Sequence, residues 1–140
     1  RVISADTARK MRIMMESVVS GNGTAPSAAI EGYRVAGKTG TAQRIDDTCG
    51  CYRGYTASFI GFAPADNPAY VISVTIQDPK GMHWGGVLGG PVFKDVMSFV
   101  LKSKGIAPTG TKIIPVALTE KQLLEAKKLA AKKAANAKAN

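Results

Sequence analysis

GYRVAGKTGTAQ, residues 32–43, fits two patterns that demand opposite backbones. Counted from Gly32 it satisfies G-x-x-x-x-G-K-[ST], in which a glycine loop feeds a helix whose N-terminal amides hold phosphate. Counted from Lys38 it contains the tripeptide Lys38-Thr39-Gly40, which carries meaning only on an extended strand facing a cleft. The residues on either side decide between them. Tyr33, Arg34, Val35 and Ala36 read as the strand itself, and after Thr39 come glycine, a polar turn and no helical period. Asp78 ends the apolar run YVISVTIQD and imitates a magnesium-binding aspartate, but its strand lies in a hairpin. The parallel sheet of a nucleotide site is missing, so the phosphate-loop pattern lacks its context.

Outward from this stretch, the spacing predicts a helix over 4–19, with Ser4 as cap, Asp6 at the positive end and Gly21 at the stop. Ala8, Met11, Met15 and Val18 fall on one helical face. SGNGTAPS, residues 20–27, is a loop. Strands are predicted over 33–43, 55–63 and 70–77. The last two are joined by PADNP, too short for anything but an antiparallel hairpin. Glycines within the first strand mark close approach by a backbone or a ligand. Ala57, Ser58 and Gly61 leave the second strand narrow enough for a helix to pack close. WGGVLGG, residues 84–90, reads as a flexible connection, and Pro91 opens a helix with Val92, Phe93, Val96, Met97 and Val100 on its apolar side. Lys102, Lys104 and Gly105 close it.

The chain of 140 residues has room for one ordinary domain. It starts at Arg1 and enters directly on a helical pattern, so a piece of a longer protein is expected. No apolar run approaches the roughly 20 residues that span a bilayer. If the parent is exported or anchored, the segment responsible lies upstream of Arg1. The net charge of +9 raises a nucleic-acid reading. Its distribution counts against that reading: residues 119–140 hold six lysines against two glutamates, and the body shows no arginine cluster interleaved with aromatics. Residues 108–115 form a linker, and the Lys/Ala-rich tail 116–140 is a marginal helix or disordered, since its few leucines anchor it weakly. Cys49-Gly50-Cys51 offers two metal ligands where zinc wants four, with His83 the sole histidine. A disulfide between residues two apart is sterically awkward. Free thiols are expected first, a strained or intermolecular disulfide second and a metal third.

Three stretches in order, RKMRIMMESVVSGNGTAPSAAIEGYRVAGKTGTAQ, YTASFIGFAPADNPAYVISVTIQDPKG and GGPVFKDVMSFVL, resemble the end of the transpeptidase domain of class B penicillin-binding proteins, the division-specific branch in particular. The resemblance covers residues 1–115, and the tail lies outside it. It implies an α+β fold in which an antiparallel sheet is flanked by helices, with this chain supplying one helix, three strands and the C-terminal helix. It also implies a peptidoglycan D,D-transpeptidase that cross-links stem peptides through an acyl-serine and is acylated by β-lactams, at the extracytoplasmic face of the bacterial cell membrane. Partners would be stem peptides, β-lactam antibiotics, the upstream half of the same domain and divisome proteins. No cofactor, no metal and no nucleic acid are implied.

By the same resemblance Lys38 supplies positive charge and a proton-relay hydrogen bond, Thr39 and Thr41 bind the substrate carboxylate, Gly40 keeps the strand edge open, and the Thr41 N–H is one arm of the oxyanion hole. The nucleophile is missing: the family's S-x-x-K matches nowhere in the chain. Ser20-Gly21-Asn22 imitates its S-x-N motif but sits at a helix end rather than in an earlier helical region, and reads as turn residues. The isolated chain is therefore expected to be inactive. His83 and Trp84 fall near the expected cleft rim without an assignable role. A serine β-lactamase or a penicillin-sensing binding domain of the same fold is the alternative. Turnover of bound penicillin would mark the first, and a membrane helix with a cytoplasmic region the second.

Overall fold

The computed structural model describes residues 2–110. The tail, residues 116–140, and most of the linker lie outside the described residues. Helix α1 (Ala5–Ser17) leads through a single 3-10 turn (Pro26–Ala28) into strands β1 (Ala36–Asp46), β2 (Cys51–Ala63) and β3 (Tyr70–Gln77), followed by helix α2 (Gly85–Ser103). The strands form an antiparallel sheet in the order β1-β2-β3, which leaves β1 with a free edge among the described residues. The expected α+β architecture is present, and the β2–β3 hairpin runs over the expected residues.

Ser4 caps α1 by accepting the Thr7 N–H at 3.1 Å. The face expected to be buried is only partly so: Ala8 and Met15 are half-buried and Val18 packs against the core, but Met11 is 45% exposed, and the one fully buried residue of the helix is Glu16. The reason is Arg34. Its Nε and Nη2 donate to both Glu16 carboxylate oxygens, at 2.9 and 2.6 Å, with side-chain exposures of 11% and 1% for Arg34 and Glu16. This fork-to-carboxylate geometry satisfies both charges where water is excluded. The hydrogen bonds it donates to Glu16 hold the Arg34 guanidinium above its ordinary pKa.

Helix α2 differs most from the sequence reading. It starts at Gly85, so the stretch read as a flexible connection forms its first two turns and Pro91 lies inside it. Four glycines in those turns, Gly85, Gly86, Gly89 and Gly90, are all buried. Their weak helix propensity is offset because the helix backbone lies directly on the sheet. A Cβ at Gly89 would stand 2.8 Å from Phe59 Cβ. Below them Phe93, Met97 and Leu101 are fully buried, with Phe93 edge-on to Phe59 at 5.0 Å. Val92 and Val96, expected on the buried side, are 45% and 44% exposed. The helix is rotated toward the glycines, which let it approach more closely than valines would. At its end the Gly105 N–H bonds Lys102 O and the Ile106 N–H bonds Leu101 O, the paired closure of a Schellman motif.

Strand β1 begins three residues later and ends three later than the sequence suggested, and β2 starts four earlier, at Cys51. The polar residues between them pair as well, Ile45 with Tyr52 and Asp46 with Cys51, and extend past β3 as a two-stranded arm. Its tip corrects the cysteine expectation. Cys49 and Cys51 form a disulfide with Cα atoms 5.2 Å apart, inside the ordinary range. Gly50 between them takes φ +62°, a conformation that L side chains rarely adopt, and this folds the chain back so that the two Cβ atoms face each other. At the same tip the Thr48 hydroxyl and N–H both bond Asp46 Oδ1, and hold that carboxyl below its usual pKa.

The Glu16–Arg34 pair generates a stability prediction. Arg34→Ala should leave a buried, unpaired carboxylate and destabilise the protein by about 3–5 kcal/mol. Lys10→Ala, which removes an exposed pair with Asp6, should change stability by less than about 1 kcal/mol. Denaturant unfolding of the two variants checks both.

Candidate active cleft

Lys38, Thr39, Gly40 and Thr41 lie on β1, the edge strand, opposite Ile60, Phe59, Ser58 and Ala57 of β2. No helix follows the motif, which removes the phosphate-loop reading in structural terms. Side chains alternate along the strand. Thr39 and Thr41 point toward α2, where the Gly85 N–H donates to Thr41 Oγ1 at 3.3 Å. Lys38 starts from the other face, and its exposed ammonium folds back to donate to Thr39 O at 2.8 Å. Backbone groups alternate too: in an antiparallel ladder the N–H and C=O of one residue point to the same side. A Thr39 carbonyl open to Lys38 lies on the free edge, and by the same parity so does the Thr41 N–H.

Beside this edge is an open cleft of about 450 Å³, lined by Lys38, Thr39 and Thr41 from β1, Thr24 from the loop after α1, and Trp84, Gly85, Gly86 and Val87 from the start of α2. All three wall segments are needed to form it. Thr24 Oγ1 is 3.4 Å from Thr39 Oγ1, across the cleft floor. Trp84 is 57% exposed and continues an aromatic row, with His83 at 4.9 Å from it and stacked on Tyr55 at 4.0 Å.

The structure places Lys38, Thr39 and Thr41 on the cleft, with Gly40 between them on β1 but not among the lining residues, and adds Thr24, Trp84 and Gly86, which sequence reasoning did not assign. Trp84 had a weak signal, its place near the cleft rim that the resemblance implies. Thr24 had none, because it reaches the cleft only through the packing of α1. Ser20 and Asn22 do not line the cleft. Ser20 Oγ bonds Ser17 O at 2.7 Å and the Gly23 N–H bonds Ser20 O, as expected of a helix-ending turn.

An edge strand that presents a lysine, two threonine hydroxyls and an unpaired amide to a cleft has the groups to hydrogen-bond a carbonyl or carboxylate. Comparison with known proteins gives the family. The family described as "Penicillin binding protein transpeptidase domain" matches residues 1–98. The chain is 44% identical over 110 residues to the probable peptidoglycan D,D-transpeptidase PenA of Neisseria flavescens, covering 78% of this chain and 28% of that protein. It is 42% identical over 114 residues to stage V sporulation protein D of Bacillus subtilis, covering 81% and 18%. Among solved structures it is similar to the transpeptidase domain of Burkholderia pseudomallei penicillin-binding protein 3, at 43% identity and a TM-score of 0.68, covering 82% of this chain and 34% of that one. It is also similar to Mycobacterium tuberculosis penicillin-binding protein 3 in complex with ampicillin, at 34% identity and a TM-score of 0.69, covering 84% and 29%. The chain belongs to the transpeptidase-domain family of class B penicillin-binding proteins. It spans between 18% and 28% of the length of those two curated relatives.

The cleft yields a steric prediction. In Gly86→Ala the new methyl would collide with the Thr24 carbonyl oxygen and stand 2.9 Å from Thr39 Cγ2. The overpacking should cost about 1–3 kcal/mol. Gly21→Ala has nothing within 4 Å and should stay within about 0.5 kcal/mol of the parent. Thermal unfolding compares the two, and equal losses would mean that α2 does not press on the cleft wall as described.

Proposed function

We propose that this chain forms the Lys38-Thr39-Gly40 wall of the active cleft in a peptidoglycan D,D-transpeptidase working in cell division. Its parent is acylated by β-lactams and holds the nucleophilic serine upstream of Arg1. The observation that carries the reading is the free edge of β1, where the Lys38 ammonium and the Thr41 N–H lie on one side beside an open cleft.

In the reaction the serine Oγ attacks the penultimate D-alanyl carbonyl of a stem peptide and terminal D-alanine leaves. The amine of a neighbouring stem then attacks the acyl-serine and releases the enzyme. Lys38 holds positive charge next to the developing charge and takes part in relaying the serine proton. Its present bond to Thr39 O is one that a substrate group can replace. Thr41 Oγ1 already accepts the Gly85 N–H, so its own hydroxyl proton is free to donate to a substrate carboxylate. Thr39 offers a second hydroxyl. Gly40, without a side chain, leaves room for the substrate backbone along the edge. The Thr41 N–H stabilises the tetrahedral oxyanion, an interaction whose loss costs about 3–4 kcal/mol in related acyl transfers.

The parent would work at the extracytoplasmic face of the bacterial membrane, on stem peptides and with divisome proteins. Among the described residues no helix is long and apolar enough to cross a membrane.

Lys38→Ala in the intact parent should abolish acylation by penicillin with the fold unchanged, because the side chain is exposed and supports no core residue. Stopped-flow acylation is the measurement. A rate within about threefold of the parent would exclude the role, since loss of a charged relay costs about 10²-fold or more. Fluorescent penicillin on a denaturing gel tests the missing serine: the 140-residue chain alone should carry no label. Co-refolded with the upstream half, only that half should be labelled.

A further inference from the structure

Thr24, from the loop after α1, and Thr39, from β1, meet at the cleft floor with their hydroxyls 3.4 Å apart, and Gly86 of α2 packs against both, but no strand ladder connects their segments. Three observations link their placement to an interaction outside the cleft as well. The loop is folded onto the end of α1: the Ala25 N–H bonds Val18 O at 2.9 Å and the Gly23 N–H bonds Ser20 O at 2.8 Å, so Thr24 moves with the helix. The lead-in to β1 is fixed at Arg34, whose main-chain carbonyl accepts the Ala65 N–H at 2.7 Å from the β2–β3 turn. The helix is joined to that lead-in by the Glu16–Arg34 fork, and Glu16 is its one buried residue.

We infer that Glu16 and Arg34 are positioning residues that set the width of the cleft by fixing Thr24 against Thr39, and through them the affinity for the ligand carboxylate. The inference rests on the function proposed above and extends it to two residues that touch no ligand. An apolar contact between α1 and β1 would hold the helix on the sheet without defining its rotation or its slide. A bidentate guanidinium–carboxylate pair defines both, because it is planar and accepts one geometry. Buried ion pairs are frequently no more stabilising than apolar residues of similar volume, so stability alone does not account for this one.

The test separates cleft width from fold. In the intact parent, Glu16→Met with Arg34→Met exchanges the pair for apolar side chains. Arg34→Lys keeps the charge but loses the fork. Stopped-flow penicillin acylation gives a half-saturating concentration, a limiting rate and a labelling amplitude for each. The inference expects the half-saturating concentration to rise about tenfold in both variants, as misplaced binding groups commonly cost up to about 100-fold. The limiting rate, governed by Lys38 and the serine, should stay within about threefold. A merely structural role would lower the melting temperature and the amplitude, which counts folded molecules, and leave the concentration dependence of that folded fraction untouched. This second pattern overturns the inference. If the double variant gives no soluble protein, Arg34→Lys decides alone by the same criterion. If the parent itself is not labelled, the proposed function fails. A labelled parent with an unchanged half-saturating concentration in the variants removes only the positioning role.

Discussion

The close approach of α2 to the sheet is the constraint on which the other features depend. Gly85, Gly86, Gly89 and Gly90 give the helix a face with no side chains, and the sheet answers with Ala57 and Gly61. At Gly85 an added Cβ would meet the carbonyl oxygens of both Ser58 and Gly40, so helix backbone sits almost on strand backbone. Interiors pack without voids, and once the first two turns are seated, Phe93, Met97 and Leu101 have one place to go. They fill the space over Phe59 and its neighbours. The same seating puts the Gly85 N–H against Thr41 and Trp84 at the cleft mouth. Fold and site therefore share one contact.

Lys38, Thr39 and Thr41 are an unremarkable set of side chains on a central strand. On the free edge of β1 they stand beside main-chain groups that, at every second residue, have no β2 partner, and this is what the proposed role uses. Membership of the penicillin-binding protein transpeptidase family supports the role proposed for this edge. The remainder of such a protein would bring the residues this chain lacks.

Charge is arranged with the same economy. The exposed pairs, Asp6 with Arg9 and Lys10, and Asp78 with Arg44 and Lys80, lie on the surface where water screens them. One pair is buried, and no buried side-chain polar atom among the described residues lacks a partner. That pair joins α1 to the residues that lead into β1.

The sequence by itself determined the three strands to within a few residues, the hairpin order and the antiparallel class. Each is encoded locally: alternation for β3, a five-residue turn for the hairpin, glycines punctuating β1. Tertiary structure alone decided the rest. WGGVLGG looks like a connection because glycine disfavours helix in an isolated chain, and only a sheet surface at contact distance reverses that preference. Glu16 looks like a solvated face residue until Arg34, eighteen positions away, meets its carboxylate. A bond between Cys49 and Cys51 looks less favourable than free thiols until Gly50 turns the chain. Thr24 has no signal as a cleft residue, since its place follows from how α1 sits. Local periodicity fixes what a segment is, whereas burial against a distant partner fixes which face it turns and what it touches.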